Sequence, residues 1–282
     1  MIRRILVPLD NSEYSKHALD VACTLAKYHK AEVTGVTILD IPGIRDSIGT
    51  IPLGAAFFAK ELTDAKIKEA EKRIDSLIDN FKKVCDDYAV GHHVSQLQGI
   101  PSDQILEVSK YYDLLVIGKR TYFHFESEDK PGDSFSKIMD NSITPILAVP
   151  KQFDLSQLKH KPLKIMIAFD GSLPACRALQ RFAHLAIDEI VDIHLVMSSK
   201  DKDYADYAME QAKCLLEAHN LKNVSKFRVD ENIIEVIEKK YLDWADIFVL
   251  GVHSSSAIER FFTGSVTNYV IDNSKRGIFI GQ

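Results

Sequence analysis

Two aspartates in this chain directly follow short apolar segments and precede a serine. Asp10 follows the run Ile5–Leu9, and Asp170 follows the run Ile165–Phe169. In a parallel sheet, a residue at the carboxyl end of a strand is placed to contact a ligand. An aspartate there can also cap the next helix through an Asx-turn. The pattern leaves both roles open for Asp10 and Asp170.

A glycine-bounded loop in the second half has the composition of a phosphate-binding site. It begins with Gly251-Val252-His253-Ser254, continues for nine residues and ends at Gly264-Ser265-Val266. Glycine lets the backbone approach a ligand closely, and the free N–H groups of a helix beginning near Gly264 favour an anion. This is a phosphate cradle without a Walker lysine. His253 lies in the loop, where surface hydrogen bonding and ligand contact are both open to it.

The first half carries a less regular version of the same loop. Gly118-Lys119-Arg120-Thr121 is followed by ten residues and then by Gly132-Asp133-Ser134. A carboxylate at position 133 suits a helix N-terminus but competes with a phosphate for the same N–H groups. Lys119 and Arg120 would attract a phosphate, and the acidic run from Glu126 to Asp129 is typical of a solvated loop. The second half is therefore the better candidate for anion binding.

These loops belong to an internal repeat. The strand-Asp unit returns after 160 residues, and Asp113–Gly118 returns as Asp246–Gly251 after 133, so the second copy is 27 residues shorter between those points. The repeat predicts a first domain over residues 1–151, a linker over 152–161 and a second domain over 162–282. Each half is of ordinary domain size. The missing length corresponds to the segment Ile41–Leu62, which is predicted to be a long loop acting as a lid or an interface, with exposed Phe57 and Phe58.

Apolar strands alternate with helices in both halves. This pattern predicts the α/β class, with two tandem doubly wound parallel sheets of five strands each, flanked by helices. A long charged helix is predicted over Thr63–Tyr88. The strand-two exits at Ile38 and Met197 join Asp10 and Asp170 at the predicted ligand edges.

Composition narrows the classes of function. The chain has 282 residues, a net charge of −5 and a pI near 6.1, which argues against nucleic-acid binding. No apolar run is long enough to cross a bilayer or to form a signal peptide, so a cytoplasmic protein without a membrane partner is expected. The four cysteines have no CxxC spacing, which favours reduced thiols over a disulfide framework.

The sequence contains no catalytic motif. GxSxG, HExxH, GxGxxG and Walker A patterns are absent, as is the Ser-Gly-Gly-x-Asp-Ser loop of ATP pyrophosphatases. His92 and His93 are neighbours in a predicted strand, where side chains alternate between faces, so they cannot chelate one metal ion. The sequence predicts a binding pocket and not a reaction.

Together these motifs resemble the universal stress protein family (UspA-like), in its tandem two-domain form. Its nucleotide-binding branch has an Asp after strand one and a G-x2-G-x9-G-S/T loop after strand four, on an adenine-nucleotide α-hydrolase-like, Rossmann-like fold. The resemblance implies ATP, ADP or AMP as ligand, with Mg²⁺ as a companion of ATP. It implies adenine contacts from Asp170 and the Met197 backbone, and ribose and phosphate contacts from Gly251, Ser254, Gly264 and Ser265. The corresponding first-half positions are Asp10, Ile38, Gly118, Thr121, Gly132 and Ser134.

The sequence departs from the family pattern at the second glycine, which is Ser254 in one half and Thr121 in the other. The resemblance implies a stress-response sensor or regulator; the departures favour an alternative, a nucleotide-free interaction scaffold of the same fold. The resemblance allows slow ATP hydrolysis, but no residue in the sequence predicts this activity. It also implies an intramolecular pseudo-dimer, with Ile146–Val149 paired against Gly277–Ile280 to cover two sheet edges. A homodimer of chains is expected as well.

Overall fold

The computed structural model describes residues 2–51, 54–120, 133–153, 162–186, 191–251 and 265–281. The strands in these ranges are β1 (Arg4–Pro8), β2 (Glu32–Leu39), β3 (His92–Gln98), β4 (Leu114–Gly118), β5 (Ile146–Val149), β6 (Leu163–Ala168), β7 (Val191–Ser198), β8 (Val224–Val229), β9 (Ile247–Gly251) and β10 (Gly277–Gly281). The helices are α1 (Glu13–His29), α2 (Ile41–Asp46), α3 (Ala56–Tyr88), α4 (Pro101–Ser109), α5 (Asp133–Asn141), α6 (Leu173–Leu185), α7 (Lys202–Ala218), α8 (Ile233–Val236) and α9 (Ser265–Asn273).

All of these strands belong to one sheet, in the order β3-β2-β1-β4-β5-β10-β9-β6-β7-β8. Neighbouring strands are parallel within each half, and β5 meets β10 in antiparallel register with Leu147 opposite Phe279. The predicted fold class and the predicted pairing of the two halves are confirmed. The boundaries predicted for the domains and their linker stay predictions, since residues 154–161 lie outside the described part of the chain.

Two apolar layers cover the faces of the sheet, and each layer runs through both halves. Helices α1, α3, α6 and α7 contribute to one layer, and α4, α5, α8 and α9 contribute to the other. At the junction, the rings of Phe182 and Phe279 meet edge to face at 5.9 Å. On the same face, His29 Nε2 lies 2.9 Å from the carbonyl oxygen of Leu185. Among the described residues, no helix is both long and apolar enough to cross a membrane.

The aspartate that opens each repeated strand-Gly unit has a structural role. Asp113 Oδ2 accepts hydrogen bonds from the backbone N–H groups of Arg3 and Arg4, at 2.7 and 3.0 Å. Asp246 Oδ2 likewise accepts the N–H of Lys164 at 3.0 Å. Each aspartate therefore anchors the start of the neighbouring first strand, at the edge of the sheet opposite to the predicted ligand site of its own half.

The segment Ile41–Leu62 is not the long loop that the sequence predicted. Its first residues form α2, and α3 begins at Ala56 instead of at Thr63. Asp40 caps α2 by accepting the N–H of Gly43 at 2.8 Å, and Ile44 is buried in a small cluster formed by α2, α3 and the end of β2. Tertiary burial thus makes a helix from residues whose Pro and Gly content suggested turns.

The start of α3 is exposed. Phe57 and Phe58 are 67% and 71% exposed, and their rings meet edge to face at 5.9 Å. Their exposure fits the predicted role of this segment as an interface, and the homodimer stays a prediction.

An aromatic cluster packs against β7 in the second half. His194 of β7 stacks on Trp244 at 3.8 Å, and Tyr241 meets both rings edge to face. Tyr241 ends a π-helical turn, Ile237–Tyr241, that continues α8. Burial lowers the pKa of His194 below its ordinary value, with a smaller contribution from the Lys164 charge and opposition from Asp192.

Acid should destabilise the fold through His194. Because the pKa of His194 is lower in the folded protein, the unfolded chain binds the proton first as the pH falls below 6.5. His194→Phe should therefore lose less of its free energy of unfolding than the wild type between about pH 6.5 and pH 5. Urea titrations followed by the fluorescence of Trp244 measure this. The exposed His93→Gln is the matched control, and an acid loss in His194→Phe as large as in that control would contradict the prediction.

Candidate functional site

The structure brings the predicted site residues together in two groups, one at the carboxyl ends of the strands of each half. Among the described residues, the first-half group contains Asp10, Ile38, Gly118 and Ser134. The second-half group contains Asp170, Met197, Gly251 and Val266. Because β5 and β10 are antiparallel, the strands of the two halves point in opposite directions. The two groups therefore lie at opposite ends of the strands of the single sheet, and the carboxyl edge of a half is the side at which its strands end. Thr121, Gly132, His253, Ser254, Gly264 and the side chain of Ser265 lie outside the described residues.

Both aspartates form the Asx-turn that the sequence allowed. Asp10 Oδ1 accepts the backbone N–H and the hydroxyl of Ser12 at 2.8 and 2.6 Å, and Asp170 Oδ1 accepts the N–H of Ser172 at 2.9 Å. Their burial differs: Asp10 is 6% exposed, whereas Asp170 is exposed. Within the described residues, Oδ2 of Asp170 accepts no hydrogen bond, so this carboxylate keeps an acceptor for a ligand.

Gly118 and Gly251 are required by helix packing. A Cβ at position 118 would lie 2.6 Å from Cβ of Tyr14, and one at 251 would lie 2.5 Å from the carbonyl carbon of Pro174. The first turns of α1 and α6 therefore rest directly on the ends of β4 and β9. Close approach to a ligand, which the sequence suggested for these glycines, is not needed to explain them.

The sheet register makes Ser198, not Met197, the counterpart of Ile38. Leu9 N donates to Val36 O at 2.8 Å, and Phe169 N donates to Val196 O at 2.9 Å. Backbone groups in a strand alternate in direction, so the residues two positions later, Ile38 and Ser198, turn their N–H and C=O toward the ends of β1 and β6. The backbone of Met197 turns toward β8, and its side chain is buried.

The two loop-following helices begin at the positions that the sequence predicted. Helix α5 begins at Asp133 and α9 at Ser265, at the carboxyl edges of their own halves. Ser134 is buried in the first turn of α5, and Thr267 in the first turn of α9 donates its hydroxyl to Gly251 O at 3.4 Å. That bond ties the amino end of α9 to the end of β9.

Comparison with known proteins identifies the fold that carries these two groups. The model of the universal stress protein family matches residues 1–149 and 163–278. The chain belongs to the universal stress protein family.

Relatives of this universal stress protein match one half of it or the whole. A universal stress protein from Methanocaldococcus jannaschii is 27% identical over 153 residues, which are 54% of this chain and 84% of that protein. One from Synechocystis is 23% identical over an alignment of 296 positions that covers 96% of each chain. The crystal structure of a universal stress protein from Archaeoglobus fulgidus has a TM-score of 0.68 and 16% identity, and it covers 99% of this chain and 98% of its own. At that identity the likeness shows the fold.

The two edges of this universal stress protein have different surroundings. In the first half, α2 follows β2 at once and packs with α3 beside the end of the strand. In the second half, that place is taken by the first turn of α7, where Tyr204 is 46% exposed. The Tyr204 hydroxyl lies 3.5 Å from Asp170 O, and a Cβ on Gly171 would lie 2.1 Å from it. The sequence gave no reason to select Tyr204, because its contact depends on how α7 packs.

Lys119, expected to attract a phosphate to the first half, instead contacts the second half. It is 8% exposed, and its Nζ donates to the carbonyl oxygen of Ser274, with that of Val270 at 3.5 Å. Burial lowers the pKa of Lys119 to about 8, the Arg120 charge adds to the effect, and Asp272 opposes it. Lys119 therefore holds the carboxyl end of α9, where a cation complements the helix dipole.

Adding a side chain at Gly251 should destabilise the protein. In Gly251→Ala, the new Cβ meets backbone atoms of Pro174 and Ala175 at 2.5 to 2.7 Å, so α6 must shift. We expect the free energy of unfolding to fall by about 1–3 kcal/mol in urea titrations. The control is Gly91→Ala, whose Cβ finds its nearest neighbour, Glu32 Cγ, at 3.5 Å. Equal stability of the two variants would contradict the packing role of Gly251.

Removing the amine of Lys119 should loosen α9, although the two lie in different halves. Lys119→Met leaves the carbonyl groups of Val270 and Ser274 without this donor, at a cost of about 1–2 kcal/mol. Amide hydrogen exchange in α9 should become roughly ten-fold faster. Arg120→Met, an exposed neighbour in the same loop, is the control. Unchanged exchange in Lys119→Met would show that the contact does not stabilise α9.

Proposed function

We propose that this universal stress protein binds an adenine nucleotide (ATP, ADP or AMP) at the carboxyl edge of its second half and acts as a stress-response sensor or regulator. Mg²⁺ enters this proposal as the companion of ATP phosphates. The observation that carries the proposal is the exposed carboxylate of Asp170 at the end of β6. In the sheet, β6 lies between β7 and β9, which is the point where strand order reverses. Ligands of open α/β sheets bind at such switch points.

Backbone groups beside Asp170 support recognition of a flat base. Ser198 turns its N–H and C=O toward the end of β6, next to the Asp170 turn. One donor and one acceptor from the same residue can meet the ring edge of an adenine. Met197 was the residue predicted for this contact, and the register favours its neighbour Ser198. The ring of Tyr204 beside Asp170 offers an additional surface for the base or the ribose.

Helix α9 supports the phosphate end of the same site. Its amino end, near Val266, is held at the end of β9 by Thr267. Unpaired N–H groups at a helix start favour an anion. The preceding residues Gly251, His253, Ser254, Gly264 and Ser265 stay the proposed ribose and phosphate contacts.

The first half is the weaker site in this proposal. Asp10 is buried against Ser12 and Ser15, and Lys119 is occupied by α9. The helix α2 also packs close to the end of β2. Ile38, Gly118, Thr121, Gly132 and Ser134 remain the first-half positions that a nucleotide would contact. Two sites of unequal quality are consistent with a protein that responds when a nucleotide binds to the second half alone.

The proposal assigns binding and no catalytic step. No residue at either edge is arranged as a nucleophile with an adjacent base in the described part of the chain. The alternative is a scaffold of the same fold with empty pockets, which the replacement of the second glycine by Thr121 and Ser254 favours. The cheapest discriminating observation is native mass spectrometry of the freshly purified protein, because a co-purifying nucleotide mass contradicts the scaffold.

Isothermal titration with ATP, ADP and AMP tests the site. Gly264→Asp places a carboxylate where a phosphate is proposed to bind, and we expect affinity at least ten-fold weaker, because like charges repel at short range. Gly132→Asp makes the same change in the first half and should leave the main affinity unchanged. Absence of binding to the wild type, or equal affinities for the wild type and Gly264→Asp, would refute the proposed site.

A further inference from the structure

Two cysteines that are distant in sequence face each other inside the first half. Cys23 lies in α1 and Cys85 in the last turn of α3, and their Sγ atoms are 3.8 Å apart. Both residues are fully buried, and both thiols are reduced. The separation is that of a thiol–thiol hydrogen bond, and a disulfide needs about 2.05 Å between the sulfurs. The two sulfurs must therefore come closer together for the bond to form.

Packing alone does not require sulfur at this place. Val90 N donates to Cys85 O after α3, and Leu221 N donates to Leu216 O after α7, so Leu216 is the second-half counterpart of Cys85. The counterpart of Cys23, taken from the spacing of Asp10 and Asp170, is Ala183. Both of these apolar residues are buried in the same layer. The corresponding positions of the second half are therefore filled by apolar side chains.

The hydrogen bond between the thiols shifts their pKa values in opposite directions. The pKa of Cys23 is raised by its hydrogen bond with Cys85 and by burial, which disfavours its thiolate. The pKa of Cys85 is lowered, because the same hydrogen bond stabilises its thiolate. The thiolate is the nucleophile of cysteine chemistry. Of the two sulfurs, Cys85 is therefore the one to which we assign the attacking thiolate.

The last turn of α3 provides a route to Cys85. It contains no basic residue, and Asp86 and Asp87 place two negative charges at the negative end of the helix dipole. The helix ends at Ala89 with φ 55°, a left-handed conformation that costs energy for a residue with a Cβ. Two backbone hydrogen bonds close this turn, from Ala89 N to Asp86 O and from Val90 N to Cys85 O. Breaking them locally would expose Cys85 without unfolding the sheet.

We propose that Cys23 and Cys85 are a modification site, at which a hydroperoxide oxidises the pair to an intramolecular disulfide. Cys85 gives up its proton, and its thiolate attacks a peroxide oxygen, so that the O–O bond breaks and a sulfenic acid forms with hydroxide (or alkoxide) as the leaving group. The proton that Cys85 released converts this leaving group to water (or alcohol). The thiol of Cys23 then attacks that sulfur, so that the S–S bond forms and the hydroxyl leaves with the Cys23 proton as water. The two thiols lose two electrons, and the peroxide gains them.

The disulfide would fasten α3 to α1, the helix whose amino end carries the Asp10 turn. It would also close a loop between residues 62 positions apart. Such a cross-link restricts the unfolded chain and raises the melting temperature. Reduction by a dithiol would reverse both effects.

The test uses a chain that retains only this pair. The double variant Cys176→Ser, Cys214→Ser is treated with graded hydrogen peroxide and analysed by intact mass, by alkylation and by non-reducing peptide mapping. We expect the intact mass to fall by two hydrogen atoms and a peptide linking Cys23 to Cys85 to appear. The melting temperature should rise by several degrees, and dithiothreitol should return it to its original value. A further Cys85→Ala change is the control, and it should abolish the two-hydrogen loss.

Two outcomes would overturn the proposal. One is gain of oxygen atoms at Cys23 or Cys85 without a linking peptide. The other is recovery of two alkylatable thiols after denaturation at every peroxide dose. The experiment does not depend on nucleotide binding, and the wild-type protein can be mapped in the same way if the serine variant folds poorly.

Discussion

The antiparallel pairing of β5 with β10 is the contact on which the rest of this architecture depends. Each half alone would expose its fifth strand as an open edge, with unpaired backbone groups and an apolar surface on both faces. The pairing closes both edges at once and lets the two helical layers continue across the junction, where His29 Nε2 of the first half lies 2.9 Å from the carbonyl oxygen of Leu185 in the second. Because the pairing is antiparallel, the strands of the two halves also end on opposite sides of the sheet.

Much of the fold could be predicted because its determinants are local. Short apolar runs ended by Asp10, Asp170, Gly118 and Gly251 specify strands and their exits, and the repeat then specifies how the halves pair. The segment after Leu39 could not be predicted. Its local Pro and Gly content favours turns, whereas burial of Ile44 against α3 stabilises a helix. That contact is tertiary and leaves no periodic pattern in a segment of six residues.

The candidate site likewise has features that the sequence predicts and features that depend on tertiary contacts. Strand-end positions follow from topology, so the sequence selected Asp170 and Gly251 correctly as edge residues. The reasons behind them needed the structure: Gly251 accommodates the first turn of α6, and the one-residue difference between Met197 and Ser198 follows from pairing register. The partner of Lys119 lies more than 150 residues away in sequence. No local sequence pattern can show that the Lys119 amine is hydrogen-bonded to a helix of the other half.

Helix α9 runs from one of these two ends of the sheet to the other. It starts at the edge of the second half, beside Gly251, and ends at the edge of the first, where Lys119 holds its last carbonyl groups. Two occupants at these ends of the sheet would face in opposite directions. They would be separated along the strands by about the 17 Å length of a five-residue strand, and displaced sideways by the strands between them. They could not share a phosphate or a metal ion. A partner protein that covered one of these ends of the sheet would leave the other open to solvent, while Lys119 would still link the two halves through α9.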